Sequence, residues 1–420
     1  MPEETTSAPQ QELLPHLFRT EYTKIIAVLC RHFGLKQIEI AEDIASDTFL
    51  KAHEHWGING IPENPAAWLY TVAKNKTKDY FKHLGVFEKK VKEAVKPAPF
   101  VQKFEFNDQN ISDSQLAMIF AVCNPANSTS VQISLSLQIL CGFSVEEIAN
   151  ALLAKTETIK KRLQRGRANL RNNNFQINEL SEGDITSRLE TVTKTIYLVF
   201  NEGYFSKTND QIIRKDLCSE AIRLALVLSE NLLTNTPRIN ALLALMCFQS
   251  SRLDARTNDE GQIVLFEDQD RNLWDQTLIA RGNQYLINAC EGSDISKYHL
   301  EAAIAYWHTT PTDENKWQHI LQLYNQLILI EYSPITALNR AFAIARVFGP
   351  DKAIPEVEKL RLTESNYYHG LLGYLYAETD VKKAIRHYEK AIGLTKAKRE
   401  KEVLMKEIKR LSDIECILDL

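Results

Sequence analysis

Glycine and proline are scarce in this chain, 15 and 13 among 420 residues, which excludes a collagen-like or an extended low-complexity protein. No CxxC pair occurs among its seven cysteines (Cys30, Cys123, Cys141, Cys218, Cys247, Cys290 and Cys416), and their number is odd. That argues against a disulfide framework and a cysteine zinc site. They read as small buried hydrophobes in a reducing compartment. No apolar run approaches the roughly 20 residues that cross a bilayer. The opening residues, Met1 to Gln11, are acidic and polar without a signal-peptide pattern, so the expected compartment is the cytoplasm and no membrane is expected. No Walker loop, nucleophile elbow or dinucleotide fingerprint is present. His53 and His55 stand at i and i+2, whereas a zinc-binding helix needs i and i+4. No catalytic residue, metal or cofactor is therefore expected.

What is present is an ordinary soluble composition, 44% hydrophobic and 25% charged, with a net charge of −4. The distribution matters more than the sum. Met1 to Phe175 carries 21 Lys and Arg against 19 Asp and Glu, and the remainder 29 against 35. Apolar residues recur at three- and four-residue spacing almost throughout, so the expected fold class is all-α. One short exception, Gln262 to Phe266, alternates in the manner of a strand. The expected divisions are a helical bundle over 13–84, a lysine- and proline-bearing linker over 85–112, a small helical domain over 113–174 and a larger helical domain over 175–420. In the bundle, helices are predicted over Phe18–Phe33, Ile38–Trp56 and Asn64–His83, with Pro62 and Pro65 punctuating the second loop.

The most informative segment runs from Phe143 to Arg167. Ser144 with Glu147 three residues later is a capping box that starts a helix, whose inner face is Ile148, Ala149 and Leu152. After a short break, Thr156 is the predicted N-cap of a second helix. There Ile159 and Leu163 face inward while Lys160, Lys161, Arg162, Arg165 and Arg167 cover the rest. This is the build of a DNA-binding helix-turn-helix. Thr156 and Thr158 in its first turn lie nearest the base edges, and the cations suit phosphates, which give affinity rather than sequence preference. An amphipathic hairpin with a solvated basic face is the plainer alternative.

Two earlier helices complete the pattern. Ala41 to Ala52 carries acid on one side at Glu42, Asp43 and Asp47, with Phe49 and Leu50 following. Asn64 to Lys82 has an apolar stripe of Trp68, Leu69, Val72 and Ala73, and sets Lys74, Asn75, Lys76, Lys78, Tyr80, Phe81 and Lys82 around it. Cations beside aromatics suit single-stranded DNA, where phosphates need charge and an unstacked base needs a platform.

On these residues the chain resembles the sigma-70 family, specifically its extracytoplasmic-function group. AED-x(4)-TF-L-KA is similar to region 2.2, which implies that Glu42, Asp43, Asp47, Phe49 and Leu50 bind the clamp helices of the large subunit of RNA polymerase core. NP-x-AWL-x-x-VAKN is similar to regions 2.3 and 2.4, which implies that Lys74, Asn75, Lys76, Lys78, Tyr80 and Lys82 contact the melted −10 strand of promoter DNA. The helix-turn-helix resembles region 4.2, placing Thr156, Thr158, Lys160, Lys161, Arg162 and Arg165 at the −35 duplex. The function this implies is promoter-directed initiation of transcription without covalent chemistry. One departure is Leu153, which stands where many members have a turn glycine; a left-handed turn favours glycine. A subgroup with a long C-terminal extension lacks that glycine too. The chain resembles that subgroup at Phe120, Cys123 to Ala126, Tyr197 to Tyr204, Asp216 to Leu224 and Leu265 to Trp274. The resemblance implies a regulatory extension that engages an unknown ligand or protein.

Within the extension, Leu372, Gly373 and Tyr376, then Ala384, Tyr388 and Ala391, have tetratricopeptide-like spacing, with Ala353 and Val357 as an earlier copy; irregular helices with small residues at tight crossings are the alternative. Asn201, Glu202 and Tyr204 with Gly203 read either as a tight turn with a buried polar contact or as a regulatory site. Glu267, Asp268 and Asp270 with Arg271 read either as a cation or acid–base site or as helix caps paired with Arg271; no calcium-loop pattern or His partner accompanies them. Two other whole-chain readings compete with the sigma reading: a duplex-binding transcription factor independent of polymerase, and a tetratricopeptide scaffold.

Overall fold

The three- and four-residue apolar spacing becomes an all-α structure in the computed structural model, which describes residues 8–91, 105–172, 175, 177, 180–204, 214–258, 264, 266–310, 314–395 and 398–418. Among the described residues no β-strand forms, and no helix is long and apolar enough to cross a membrane. Residues 262, 263 and 265 of the strand-like stretch lie outside the described residues, and Phe266 begins a short 3-10 turn. The chain divides into two compact units, Met1–Val199 and Phe200–Leu420.

The first unit starts with α1 (Ala8–Phe33), α2 (Ile38–Asn59) and α3 (Pro65–Val91). α2 buries Ile38, Ala41, Ile44, Ala45, Thr48, Phe49, Ala52 and Trp56, a helical stripe that leaves its acidic side outward. α3 buries Leu69, Val72, Ala73 and Thr77. Asn64 caps it by accepting from the Ala67 N–H at 3.0 Å, and Pro65 occupies the first turn, where a missing N–H costs nothing. The helix runs beyond His83 to Val91, into the interval read as a linker, because Gly85 costs a helix only about 1 kcal/mol and does not stop it. α4 (Asp108–Val122) begins inside the same interval on an Asn107 cap, and residues 92–104 between them lie outside the described residues.

α5 (Thr129–Leu135) opens into a π-helical turn, Ser136–Leu140, before α6 (Val145–Ala151) and α7 (Thr156–Asn172). The capping box forms: Ser144 Oγ accepts from the Glu147 N–H at 3.2 Å, and Glu147 Oε2 accepts from the Ser144 N–H at 2.8 Å. Thr156 is not the N-cap of α7. The Lys155 carbonyl accepts from the Ile159 N–H at 3.2 Å, which puts Thr156 inside the first turn. Leu153 in the intervening turn adopts φ 50°, the left-handed conformation that its glycine-bearing counterparts accommodate freely. α7 crosses α5 at Gly166, where a Cβ would stand 2.7 Å from the Leu135 side chain and 2.8 Å from Val131. α8 (Glu182–Tyr204) follows. Its Arg188 lies over the Phe175 ring at 4.3 Å, and its Thr195 hydroxyl donates to Gln132 at 3.3 Å. The division between the two compact units falls within α8.

The second unit continues through α9 (Lys215–Ser229), α10 (Pro237–Ser250), α11 (Gln276–Ala289), α12 (Lys297–Thr309), α13 (Lys316–Ile330), α14 (Pro334–Phe348), α15 (Pro350–Lys359), α16 (Asn366–Tyr376), α17 (Val381–Leu394) and α18 (Lys398–Leu418). Helices adjacent in sequence pack on one another from α12 to α18 around a common apolar core. Leu372, Gly373, Tyr376, Ala384, Tyr388 and Ala391 are all buried where α16 meets α17. A Cβ on Gly373 would stand 2.6 Å from the Tyr388 ring, so this crossing depends on the bare backbone. Ala353 and Val357 are likewise fully buried on α15.

Leu153 is 45% exposed, so its side chain contributes little packing in return for its backbone conformation. Replacing it with glycine is expected to stabilise the first unit by roughly 0.5–1 kcal/mol, after the entropy glycine adds to the unfolded chain. Urea unfolding followed by circular dichroism would measure this, and a fall in midpoint would refute it.

Candidate functional site

The periodicity of α2 turns its polar side outward. Asp43, Asp47 and Leu50 are exposed, with Leu50 at 57%, while Glu42 is half-buried. Phe49 does not join them. It is 5% exposed and packs edge-on to Phe18 at 5.1 Å and Tyr22 at 6.1 Å. Its apolar ring belongs to the stripe that holds α2 down.

The exposed side of α3 carries Asn75, Lys78 and Lys82 in solvent, with Lys74, Lys76 and Tyr80 half-buried. Phe81 turns inward against Phe33 at 5.0 Å and meets Tyr80 edge-on at 5.3 Å, which leaves Tyr80 as the aromatic nearer the lysines. Lys76 is bonded to Asp47 of α2 at 3.1 Å. A residue expected at DNA and one expected at polymerase thus share a surface ion pair, an interaction of small free energy that either partner can give up.

On α7, Ile159 and Leu163 are buried as expected, and Thr158, Lys160, Lys161 and Arg165 are exposed, with Thr156 and Arg162 half-buried. Lys160 pairs with Glu157 at 3.1 Å. Arg167, counted with this exposed set from the sequence, turns the other way. Its guanidinium donates to both Glu42 carboxylate oxygens, at 2.9 and 2.6 Å, and to Gln138 Oε1 at 3.1 and 2.9 Å. One turn on, Arg171 pairs with Glu39. Burial opposes the Arg167 charge, yet the bidentate Glu42 carboxylate, with Glu39 nearby, holds its pKa above the ordinary arginine value. These partners have a sequence signal in hindsight. Glu39 and Glu42 are three apart and Arg167 and Arg171 four apart, so each pair lies on one face of its own helix.

The two regulatory candidates of the second unit converge on a residue that no motif singled out. Asn201, Glu202 and Tyr204 form the last turn of α8, not a free-standing tight turn, and Asn201 Oδ1 is buried without a partner among the described residues. Arg252 donates to the Tyr204 hydroxyl at 2.9 Å, and Arg256 donates to the Tyr204 carbonyl at 2.8 Å while lying 4.0 Å over its ring. Gly203, beside Tyr204, lets the start of α9 approach the end of α8, because a Cβ there would meet the Arg214 carbonyl and Leu217 at 2.8 Å. Arg252 also lies 4.9 Å over the Phe266 ring, beside Glu267 and Asp268. The carboxylates take separate partners. Asp270 accepts from the Asn272 N–H at 2.9 Å as a cap, and Glu267 pairs with Arg346 of α14 at 2.7 Å, not with Arg271. Arg271 instead faces the Trp274 ring at 5.4 Å.

A family model described as Sigma-70 region 2 matches residues 17–85, and a family of unknown function (DUF6596) matches residues 188–290. An uncharacterized protein of Rhizobium meliloti (strain 1021) is 32% identical over 363 residues, covering 83% of this chain and 84% of that protein. No solved structure matches.

Arg167 and Glu42 retain 16% and 22% side-chain exposure, so their coupling should fall below that of a fully buried pair, at about 1–2 kcal/mol. A double-mutant cycle with Arg167→Met and Glu42→Gln, read by urea unfolding, is expected to be non-additive by that amount. Strict additivity would mean that the pair does not hold α7 to α2.

Proposed function

We propose that this chain, whose residues 17–85 match the Sigma-70 region 2 family model, is an extracytoplasmic-function sigma factor that directs RNA polymerase core to particular promoters and carries a regulatory, tetratricopeptide-like extension. The observation that carries the reading is the exposed side of α3 within the matched region: Lys74, Asn75, Lys78 and Lys82 around Tyr80, on a helix anchored by Leu69, Val72 and Ala73. Such a surface offers charge to a phosphate chain and a ring to an unstacked base. No covalent step is needed, because strand opening can be driven by the free energy of binding the opened form.

The other surfaces take complementary roles. Asp43, Asp47 and Leu50 on α2 meet the clamp helices of the polymerase large subunit, with Glu42 joining them once it is released. In α7, Thr156 and Thr158 approach base edges of the −35 duplex while Lys160, Lys161, Arg162 and Arg165 neutralise phosphates. The Arg167–Glu42 bond gives this arrangement an order of events. Glu42 cannot serve polymerase while it holds Arg167, so α7 must leave α2 as the chain loads. The cytoplasm is the compartment where this work is done. Supporting the tetratricopeptide-like part is the crossing at Gly373 and Tyr388 with Ala384 and Ala391 buried beside it.

Run-off transcription with purified core polymerase and the full chain on a promoter library is expected to give discrete start sites; none would overturn the proposal. With a promoter so identified, Arg165→Ala should weaken binding and reduce the slope of log affinity against log salt by about 1. An unchanged slope would remove Arg165 from the phosphate-binding set.

A further inference from the structure

The second unit contains a cavity of about 460 Å³ beside Arg252, within the range of roughly 300–1,000 Å³ usual for small-molecule sites. One side is a continuous run of rings. Phe266 meets His308 at 4.9 Å, His308 meets Trp317 at 5.8 Å, Trp317 meets Phe342 at 5.5 Å and Phe342 meets Tyr374 at 5.5 Å. These come from the segment after α10 and from α12, α13, α14 and α16, so the site exists only in the folded unit.

The lining itself carries Arg252 with the carboxylates of Glu267 and Asp268, and two further cations, Lys316 and Arg346, stand against its rings from outside the lining. Arg252 and Lys316 both approach the Phe266 ring, at 4.9 and 5.9 Å, and Arg346 lies 5.0 Å over Trp317. Of the nearby acids, Glu267 is committed to Arg346, and Asp268 and Asp270 are exposed to water, which screens them. Among the described residues the Arg252 guanidinium meets the neutral Tyr204 hydroxyl and the Phe266 ring, with no carboxylate at ion-pair distance. Burial, then the Arg271, Arg346 and Arg252 charges, lowers the pKa of Lys316, as expected in a positive field. His308 responds similarly. Burial, then Arg252 and Lys316, lowers its imidazole to about 3, so it is neutral at physiological pH, and its buried Nδ1 has no hydrogen-bond partner among the described residues. A buried nitrogen left without a partner costs about 1–3 kcal/mol, which a ligand group placed against it would recover.

We infer that this cavity is a binding site for a small aromatic acid, whose ring system packs against Phe266, Trp317, Phe342 and Tyr374, whose carboxylate, sulfonate or phosphate faces Arg252 with the Lys316 charge behind the Phe266 ring adding to the field, and whose remaining polar group bonds His308. Because Arg252 also holds Tyr204, the occupant would act directly on the contact that fixes the end of α8.

The test uses the full chain without polymerase or DNA, so its failure leaves the sigma reading untouched. The probe is anilinonaphthalene sulfonate, an aromatic acid that fluoresces when shielded from water, with phenylnaphthylamine as its counterpart lacking the acid. The expected result is one saturable sulfonate site per chain, with the neutral compound binding at least about tenfold more weakly, as loss of a charge-assisted bond predicts. Trp317→Ala and Lys316→Met should each weaken the sulfonate by about tenfold. Circular dichroism of each variant separates loss of the site from loss of the fold, and the comparison of the two probes on the unaltered chain needs no variant. Absence of saturable binding, equal affinity for the two probes, or undiminished sulfonate binding in both folded variants would overturn the inference.

Discussion

A guanidinium shared between Glu42 and Gln138 ties α7 to α2 in the first unit. Arg167 leaves solvent to make four hydrogen bonds, two of them to one carboxylate, and Arg171 repeats the contact one turn later with Glu39. Removing one partner would strand the other in a half-buried place, which is costlier than never having paired the two. The cross-link lies against small residues that let the helices approach. Gly166, one position before Arg167, meets Leu135 and Val131 at distances that admit no Cβ. Packing and electrostatics therefore fix the same helix from adjacent positions, with the remaining cations of α7 directed outward.

That economy has a functional side. Under the proposed reading, the carboxylates that α2 offers to polymerase overlap with those that retain α7. The same is true on a smaller scale of Lys76 and Asp47, which neutralise one another although each is expected to serve a different partner. A chain whose binding groups satisfy each other in isolation keeps a low net surface field. It then exchanges internal pairs for external ones, and the free energy of each exchange is a difference between two similar terms. Such pairs also bear on specificity, because only a partner that replaces both sides of the bond recovers what opening it costs.

The second unit is organised around another arginine. Arg252 ties the end of α8, through Tyr204, to the aromatic wall that begins at Phe266. The crossing of α16 and α17 supplies the rigidity of the far side, where Tyr388 fills the space that Gly373 leaves empty. Tyr374, between them in sequence, carries the ring run into the cavity.

The sequence by itself determined the helical class, the capping box at Ser144 and Glu147, the inward Ile159 and Leu163, and the small residues of the α16–α17 crossing. All of these follow from residue type and from spacing within one helix, which are local properties. It also marked Leu153 as the residue standing in a left-handed turn. Tertiary structure alone decided which way each residue of a mixed face would turn. Phe49 went to the core and Arg167 to Glu42, although neighbours of similar position stayed in water, because burial depends on what the facing helix presents. Thr156 moved one place into its helix, since the carbonyl of Lys155 accepts the first bond. The convergence of Tyr204, Arg252, Phe266 and His308 had no periodic signature at all. Those residues lie on separate elements, and only the packing of α8, the segment after α10, α12 through α14 and α16 sets a charge, an unpartnered nitrogen and a wall of rings around one volume.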